Sequence, residues 1–537
     1  MYTRLPIRRF INLSMGFLFL LGFPLIANAQ MDRTQLEKFQ RALQVINLAY
    51  VEPVDNEELV EDAIRGMLRE LDPHSVYLSA EELRRANEPL IGSFEGIGIQ
   101  FNIISDTIVV VSPVPGGPSE KVGILPGDKI VSINGESSTG SQVNNQMVQD
   151  RLRGERGTQV DVGVYRRGTA GLLDFTITRD RIPINSLDAA FIASPGIGYI
   201  KLNRFSRTTM REFRQALAEL REKGMQDLIL DLNYNSGGFL DVAIDLTDQF
   251  LERNQLIVYT EGHSAPEQRF NSTSRGDFKK GKLIVLVNEG SASASEILAG
   301  AIQDWDRGLV IGRRTFGKGL VQRPFELTDG SAIRLTTARY HTPTGRSIQK
   351  PYDEGAERYY DDLSERLKNG ELLSPENISF PDSLKYFTKH NKRVVYGGGG
   401  IMPDFFIPLD TTRVSDYYSR LMRRGILNTF GIQYTNENRA RLMADYPTTE
   451  AFVKGFVVNE ELLEALSMYS ESQGMPKTED EEDTFDPYLS AQLKGLIARN
   501  LFDFGAYVQV TVQMDDAYQK AIESIRNNTF EELDIRY

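Results

Sequence analysis

The sequence predicts a multidomain α/β protein, with a strand-and-helix core, a small β-rich unit inserted ahead of it, and helical regions at both ends. Three observations carry this. From Ile182 onward, apolar runs of strand length alternate with amphipathic runs of helical length. Between about residues 92 and 178 the chain breaks into short apolar runs separated by Gly, Pro, Asn and Asp turns. Before residue 91, and again after about 410, apolar residues recur at helical spacing.

The elements follow in order. Arg4, Arg8 and Arg9 precede an apolar run from Phe10 to Ile26 and then Ala27-Asn28-Ala29, which is the three-part pattern of a secretory signal over residues 1–29. Left uncleaved, the same run is an anchor in the inner membrane. The expected location is therefore the periplasm or cell envelope. Residues 30–91 read as helical, with Leu36, Phe39, Leu43, Ile46 and Tyr50 on one face and a second helix over Glu57–Leu71 that Asp72-Pro73 ends. The β-rich unit spans 92–178. The core occupies 179–350 and 393–408. It contains a strand at Tyr199–Leu202, a helix over Thr208–Lys223, a buried strand at Asp227–Leu232 and a helix over Leu240–Phe250. Strands at Leu256–Tyr259 and Leu283–Val287 follow, then a helix ending near Trp305. Residues 351–392 read as a polar insertion. Residues 409–537 read as helical, with an acidic run at Glu479–Asp483. That C-terminal region points to homo-oligomerisation or substrate caging.

Composition narrows the function. The chain has 537 residues, 41% hydrophobic and 25% charged, which excludes a wholly disordered chain and a multi-span membrane protein. It has no cysteine, hence no disulfide, thiol nucleophile or thiolate metal site. Loss of residues 1–29, which carry three arginines and no acid, takes the net charge from −13 to −16. An acidic chain without a basic patch is a poor partner for nucleic acid.

Two segments carry chemistry. Leu283–Val287 runs into Asn288-Glu289-Gly290-Ser291-Ala292-Ser293-Ala294-Ser295-Glu296, a small-residue turn before a helix. A serine there presents its hydroxyl beside free helix N–H groups. Equally, Ser293-Ala294-Ser295-Glu296 fits a helix capping box. Lys318 lies between Gly317 and Gly319, ahead of an apolar strand. As a base it needs burial to bring its pKa from about 10.4 towards roughly 7–8; otherwise it is a turn lysine. Gln322, four residues on, faces the same side of a strand as Lys318.

Taken together, these segments resemble the carboxyl-terminal processing peptidase family, secreted Ser-Lys serine proteases with a PDZ domain. The resemblance rests on Gly290-Ser291-Ala292-Ser293-Ala294-Ser295-Glu296 and on Thr315-Phe316-Gly317-Lys318-Gly319, and it covers about residues 31–410. It implies a crotonase-like α/β protease core with Ser293 as nucleophile, Lys318 as base and Gln322 orienting the lysine. Asp231-Leu232-Asn233-Tyr234-Asn235-Ser236-Gly237-Gly238 is similar to the family's glycine loop, with Asn233 where the family has arginine. The implied oxyanion hole is Gly237 and Ala294, with Gly238 as the alternative donor. Asp304 is expected to be structural: it lies eleven residues along the helix from Ser293, roughly 16 Å. His263 and His341 sit in no catalytic motif.

Residues 92–178 resemble a PDZ domain. Gly96-Ile97-Gly98-Ile99 matches its carboxylate-binding loop, and Leu125-Pro126-Gly127-Asp128 through Ile133-Asn134-Gly135 matches its core turn. The expectation is a secreted serine endopeptidase that cleaves proteins near their C-termini. Its partners would be polypeptides with free C-termini and an activator protein, and no metal or cofactor is implied. The alternative is a catalytically silent peptide-binding scaffold of the same fold.

Overall fold

A computed structural model describes residues 33–104, 106–411, 415–478 and 486–537. The signal segment and the acidic run at Glu479–Asp483 lie outside the described residues. No helix among the described residues is long and apolar enough to cross a membrane. The chain divides into a unit ending at Gly66 and a unit from Met67 to Tyr537. In the first, Arg33–Ala49 forms a helix that buries none of its residues.

The second unit is organised by a six-stranded sheet. Its order is Leu187–Ser194, Ile197–Leu202, Asp227–Asp231, Leu283–Val287, Leu309–Gly312 and Phe405–Phe406. The first two strands pair antiparallel, and the others run parallel. Parallel strands are covered on both faces and so read as continuous apolar runs; Leu283–Val287 is buried at every position. One face packs against Phe213, Leu217, Leu246, Leu298 and Ile302, from helices Thr209–Glu222, Leu240–Asp248 and Ala294–Asp304. The other face, with Tyr199, Ile229, Leu286 and Ile311, is covered by Val508, Val512, Tyr518, Ile525 and Phe530 from the end of the chain. The C-terminal region thus does two things. Its first part has its own core around Leu421, Leu427, Phe452 and Leu493, and its last part completes the central sheet.

A five-stranded sheet forms the neighbouring wall. Ala332–His341 is paired with Val76–Leu78, Leu256–Gly262 and Leu320–Glu326, and Ala265–Asn271 extends the edge. The stretch before residue 91 is therefore not helical throughout. Val76–Leu78 is a strand held in register with Ala332–Arg334, and helix Ala80–Ile91 follows behind a Ser79 capping box.

The β-rich unit folds as a six-stranded sheet with helices Pro118–Val122 and Asn145–Leu152, around Ile108, Val110, Ile130 and Val162. The chain enters and leaves it through a two-stranded ribbon: Ser93–Gly96 pairs with Asp180–Pro183, Gly96 opposite Asp180. Among the described strands, Ile99–Ile104 is paired on one side alone, by Thr107–Pro113. The polar stretch at 351–392 supplies helix Ala356–Lys368 and strand Lys385–Phe387, which pairs with Val394–Tyr396.

Candidate active site

Strand Leu283–Val287 turns directly into helix Ala294–Asp304, which is buried along its whole length. Ser293 precedes that helix with φ 56° and ψ −111°. A non-glycine residue holds such a backbone only where its surroundings impose it. The helix start carries a capping box in which the Glu296 carboxylate accepts the Ser293 N–H at 2.8 Å.

Glu296 reaches further than a cap. It is fully buried, and its carboxylate also accepts from Thr315 Oγ1 at 2.5 Å, Gly317 N–H at 2.8 Å and Lys318 N–H at 2.9 Å. Burial pushes its pKa up to about 7 against those four donors. On the carbonyl side, the buried Tyr340 hydroxyl lies 3.1 Å from the Ser293 carbonyl oxygen and 2.5 Å from that of Lys318. Two side chains therefore clamp residues 293 and 318 together, one by their N–H groups and the other by their carbonyls.

Lys318 is mostly buried, and burial lowers its pKa; Arg334 lowers it further, while Glu296 and Asp72 pull the other way. That is the direction an amine base requires. Among the described residues the Lys318 ammonium donates to no acceptor. Gln322, third residue of the strand that follows, donates from Nε2 to Thr336 Oγ1 at 3.4 Å.

The glycine loop presses on the serine. Gly237 has φ 101°. A Cβ there would stand 2.8 Å from the Ala292 carbonyl oxygen and 2.9 Å from both Ala294 N and Ser293 Cβ, so no side chain fits. The Gly237 N–H is held by Asn235 Oδ1 at 2.9 Å. Phe205 bonds the Gly237 carbonyl and the Phe239 N–H, so the Gly238 N–H faces the opposite side of that segment. Ala294 opens the helix, and its N–H has no partner within it. At the base of the loop, Asp231 accepts from Tyr199 Oη at 2.5 Å and Lys201 Nζ at 2.9 Å, and Lys201 also reaches the Asn233 carbonyl at 3.5 Å. Lys201 thus brings a cation from the neighbouring strand beside Asp231 and the Asn233 carbonyl.

Other candidates sit elsewhere. Asp304 accepts from Thr342 Oγ1, Thr344 N–H and Oγ1, and Arg346 at 2.7 Å, all at the far end of the helix from Ser293. His341 stacks on Tyr259 and contacts Glu261. In the β-rich unit, Ser119 donates to the Ile97 carbonyl through Oγ at 2.7 Å and through N–H at 3.0 Å. Val114 N–H donates to the Gly98 carbonyl at 2.9 Å, which fastens the Gly96–Ile99 loop at both ends of its turn.

Sequence reasoning found the serine and lysine segments but read Glu296 as a helix cap alone. Its spacing from Ser293 was visible; its bonds to Thr315, Gly317 and Lys318 depend on the fold. Tyr340 carries no motif and was missed.

Comparison with known proteins gives the family of the chain. The model of peptidase family S41 matches residues 196–356, a PDZ domain model matches 109–166, and the activating protease CtpB N-terminal domain matches 26–82. Residues 417–503 match a family of unknown function. The carboxy-terminal processing protease CtpB of Bacillus subtilis (strain 168) is 37% identical over 413 residues, covering 75% of this chain and 82% of that protein. The carboxy-terminal-processing protease of Bartonella bacilliformis is 38% identical over 327 residues, covering 60% and 74%. Among solved structures, the photosystem II D1 C-terminal processing protease is 32% identical, covering 58% of this chain and 89% of that chain with a TM-score of 0.34. The chain belongs to the carboxy-terminal processing proteases, serine peptidases of family S41 that carry a PDZ domain.

Proposed function

We propose that this protein is an exported endopeptidase that cleaves polypeptides near their C-termini with a Ser293–Lys318 dyad. The observation that carries the reading is the double clamp: Glu296 and Tyr340 fix the backbones of both residues, and burial lowers the Lys318 pKa. Neutral Lys318 takes the Ser293 proton as the hydroxyl attacks the scissile carbonyl. The Ala294 N–H and a glycine-loop N–H stabilise the oxyanion, each donor worth roughly 3–4 kcal/mol in such sites. Asn235 Oδ1 accepts the Gly237 N–H, so Gly237 serves once Asn235 releases it, and Gly238 is the alternative donor. Lys318 then protonates the leaving amine, and water frees the acyl-enzyme. Gln322 orients the amine, and no step calls for a metal or organic cofactor.

The PDZ module at 92–178 captures the substrate. Strand Ile99–Ile104 has a free edge on which an extended tail can add as a strand, and Gly96-Ile97-Gly98-Ile99 receives its terminal carboxylate. The unbonded Lys318 amine supports an enzyme whose dyad closes when substrate or an activator binds. The C-terminal helices spend their inner faces on their own core and on the central sheet, so a homo-oligomer would use their outer faces. Residues 1–29 direct export to the periplasm or envelope.

The test is cleavage of an unfolded protein by purified residues 30–537. Ser293→Ala and Lys318→Ala should each lower kcat by about 10³-fold or more. A wild-type chain inert under every condition, with candidate activators added, would favour the silent scaffold.

A further inference from the structure

Gln322 stands opposite Thr336 in the strand ladder. The Thr336 hydroxyl donates to Asp72 Oδ1 at 3.0 Å. Asp72 is itself fixed, accepting from His74 N–H at 2.8 Å, Ser75 N–H at 3.0 Å and Ser75 Oγ at 2.6 Å. Ser75 Oγ in turn accepts the Thr336 N–H at 3.1 Å. A hydroxyl has one proton, and here the carboxylate of Asp72 takes it. Thr336 Oγ1 can then only accept from Gln322, so it meets the amide NH2, at 3.4 Å. The Gln322 carbonyl oxygen is turned away from Thr336. A flipped amide would offer only N–H donors on that side, and a charged lysine, which has nothing but donors, could not bond them.

We propose that Asp72 and Thr336 are positioning residues that lock the Gln322 carboxamide with its oxygen on the side away from Thr336, free to accept from the Lys318 amine when the dyad closes. The inference rests on the dyad reading above. It gives the segment ahead of the PDZ module a part in the chemistry: Asp72 acts through Thr336 and Gln322 on Lys318.

The test measures cleavage of fluorescein-labelled casein by the full mature chain. Thr336→Val should lower kcat about tenfold with KM within about twofold, and Thr336→Ser should restore most of the rate. In a Gln322→Ala background, Thr336→Val should bring no further loss, because both changes remove the same function. Asp72→Ala, which frees the threonine proton to bond the amide oxygen, should behave in the same way. If Thr336→Val fails to melt cooperatively, the cycle of Asp72→Ala with Gln322→Ala decides. Equal losses from the Thr336 or Asp72 change, with and without Gln322, would overturn the inference. Retained cleavage in Ser293→Ala or Lys318→Ala would instead sink the dyad reading.

Discussion

At the scale of single residues, the consequential group is Glu296. Its carboxylate serves four donors, two of them the N–H groups of Ser293 and Lys318. Glu296→Gln replaces one acceptor with an NH2 that faces N–H donors. The cost of buried unsatisfied donors is about 1–3 kcal/mol, so the urea unfolding free energy should fall by that amount, and steady-state kinetics should record a lower kcat with KM little changed as the two backbones lose their common acceptor. The pH profile follows from the same group. Glu296 must be ionised to accept all four bonds, and its pKa is about 7. In the proposed mechanism Lys318 must be neutral, and its pKa is lowered from 10.5. Both requirements act in one direction: kcat/KM rises with pH and falls as the pH drops through about 7. In Glu296→Gln the inflection near 7 should vanish while the lysine limb stays. The Ser293 and Lys318 segments stand out in the sequence only when read together as a resemblance; alone, one fits a helix cap and the other a turn lysine. Tyr340, Thr336 and Asp72 were not legible, because they act across strands remote in sequence, and no local spacing encodes such contacts.

At the scale of elements, helix Ala294–Asp304 is fixed at both ends, by Glu296 at its start and by Asp304 with Arg346 at its finish. That ion pair is fully buried on both sides. Removing one partner leaves a buried charge uncompensated, which destabilises by about 3–5 kcal/mol. Asp304→Ala should lower the unfolding free energy by that amount in urea, while the folded fraction keeps its turnover. The sequence expected a structural aspartate here, and its contacts are of that kind. The strand Val76–Leu78 could not be anticipated. Three residues between Pro73 and a helix show no alternation, and the conformation is set by the edge of Ala332–His341 that receives them.

At the scale of the molecule, the PDZ module and the C-terminal segment attach in opposite ways. The module is joined through a ribbon whose ends, Gly96 and Asp180, are partners, with the ion pairs Arg153–Glu88, Arg85–Asp150 and Arg167–Glu437 beside it. Replacing 97–179 with a short turn should leave a soluble core that melts within a few degrees of the parent. That core should no longer distinguish a free-tailed peptide from its amidated form, a comparison of kcat/KM on the two substrates. By contrast, removing 504–537 strips Val508, Val512, Tyr518 and Phe530 from the central sheet. An apolar sheet face of that kind aggregates when uncovered, so the truncated chain should be recovered insoluble. Periodicity announced the helices of this segment and left their partner unread, because an apolar stripe states that a face is buried and not against what.

The span between Asp72 and Thr336 also has a consequence for how the enzyme is born. The two residues are 264 positions apart, and the cover of the central sheet arrives only with residues 508–535. Contacts of such separation close late, because the intervening chain must lose its freedom before they form. A chain still emerging from the ribosome therefore holds Ser293 and Lys318 without the frame that sets them. On the proposed mechanism, proteolytic competence should wait until the last helices dock, and a chain stalled before residue 504 should leave an unfolded substrate uncut.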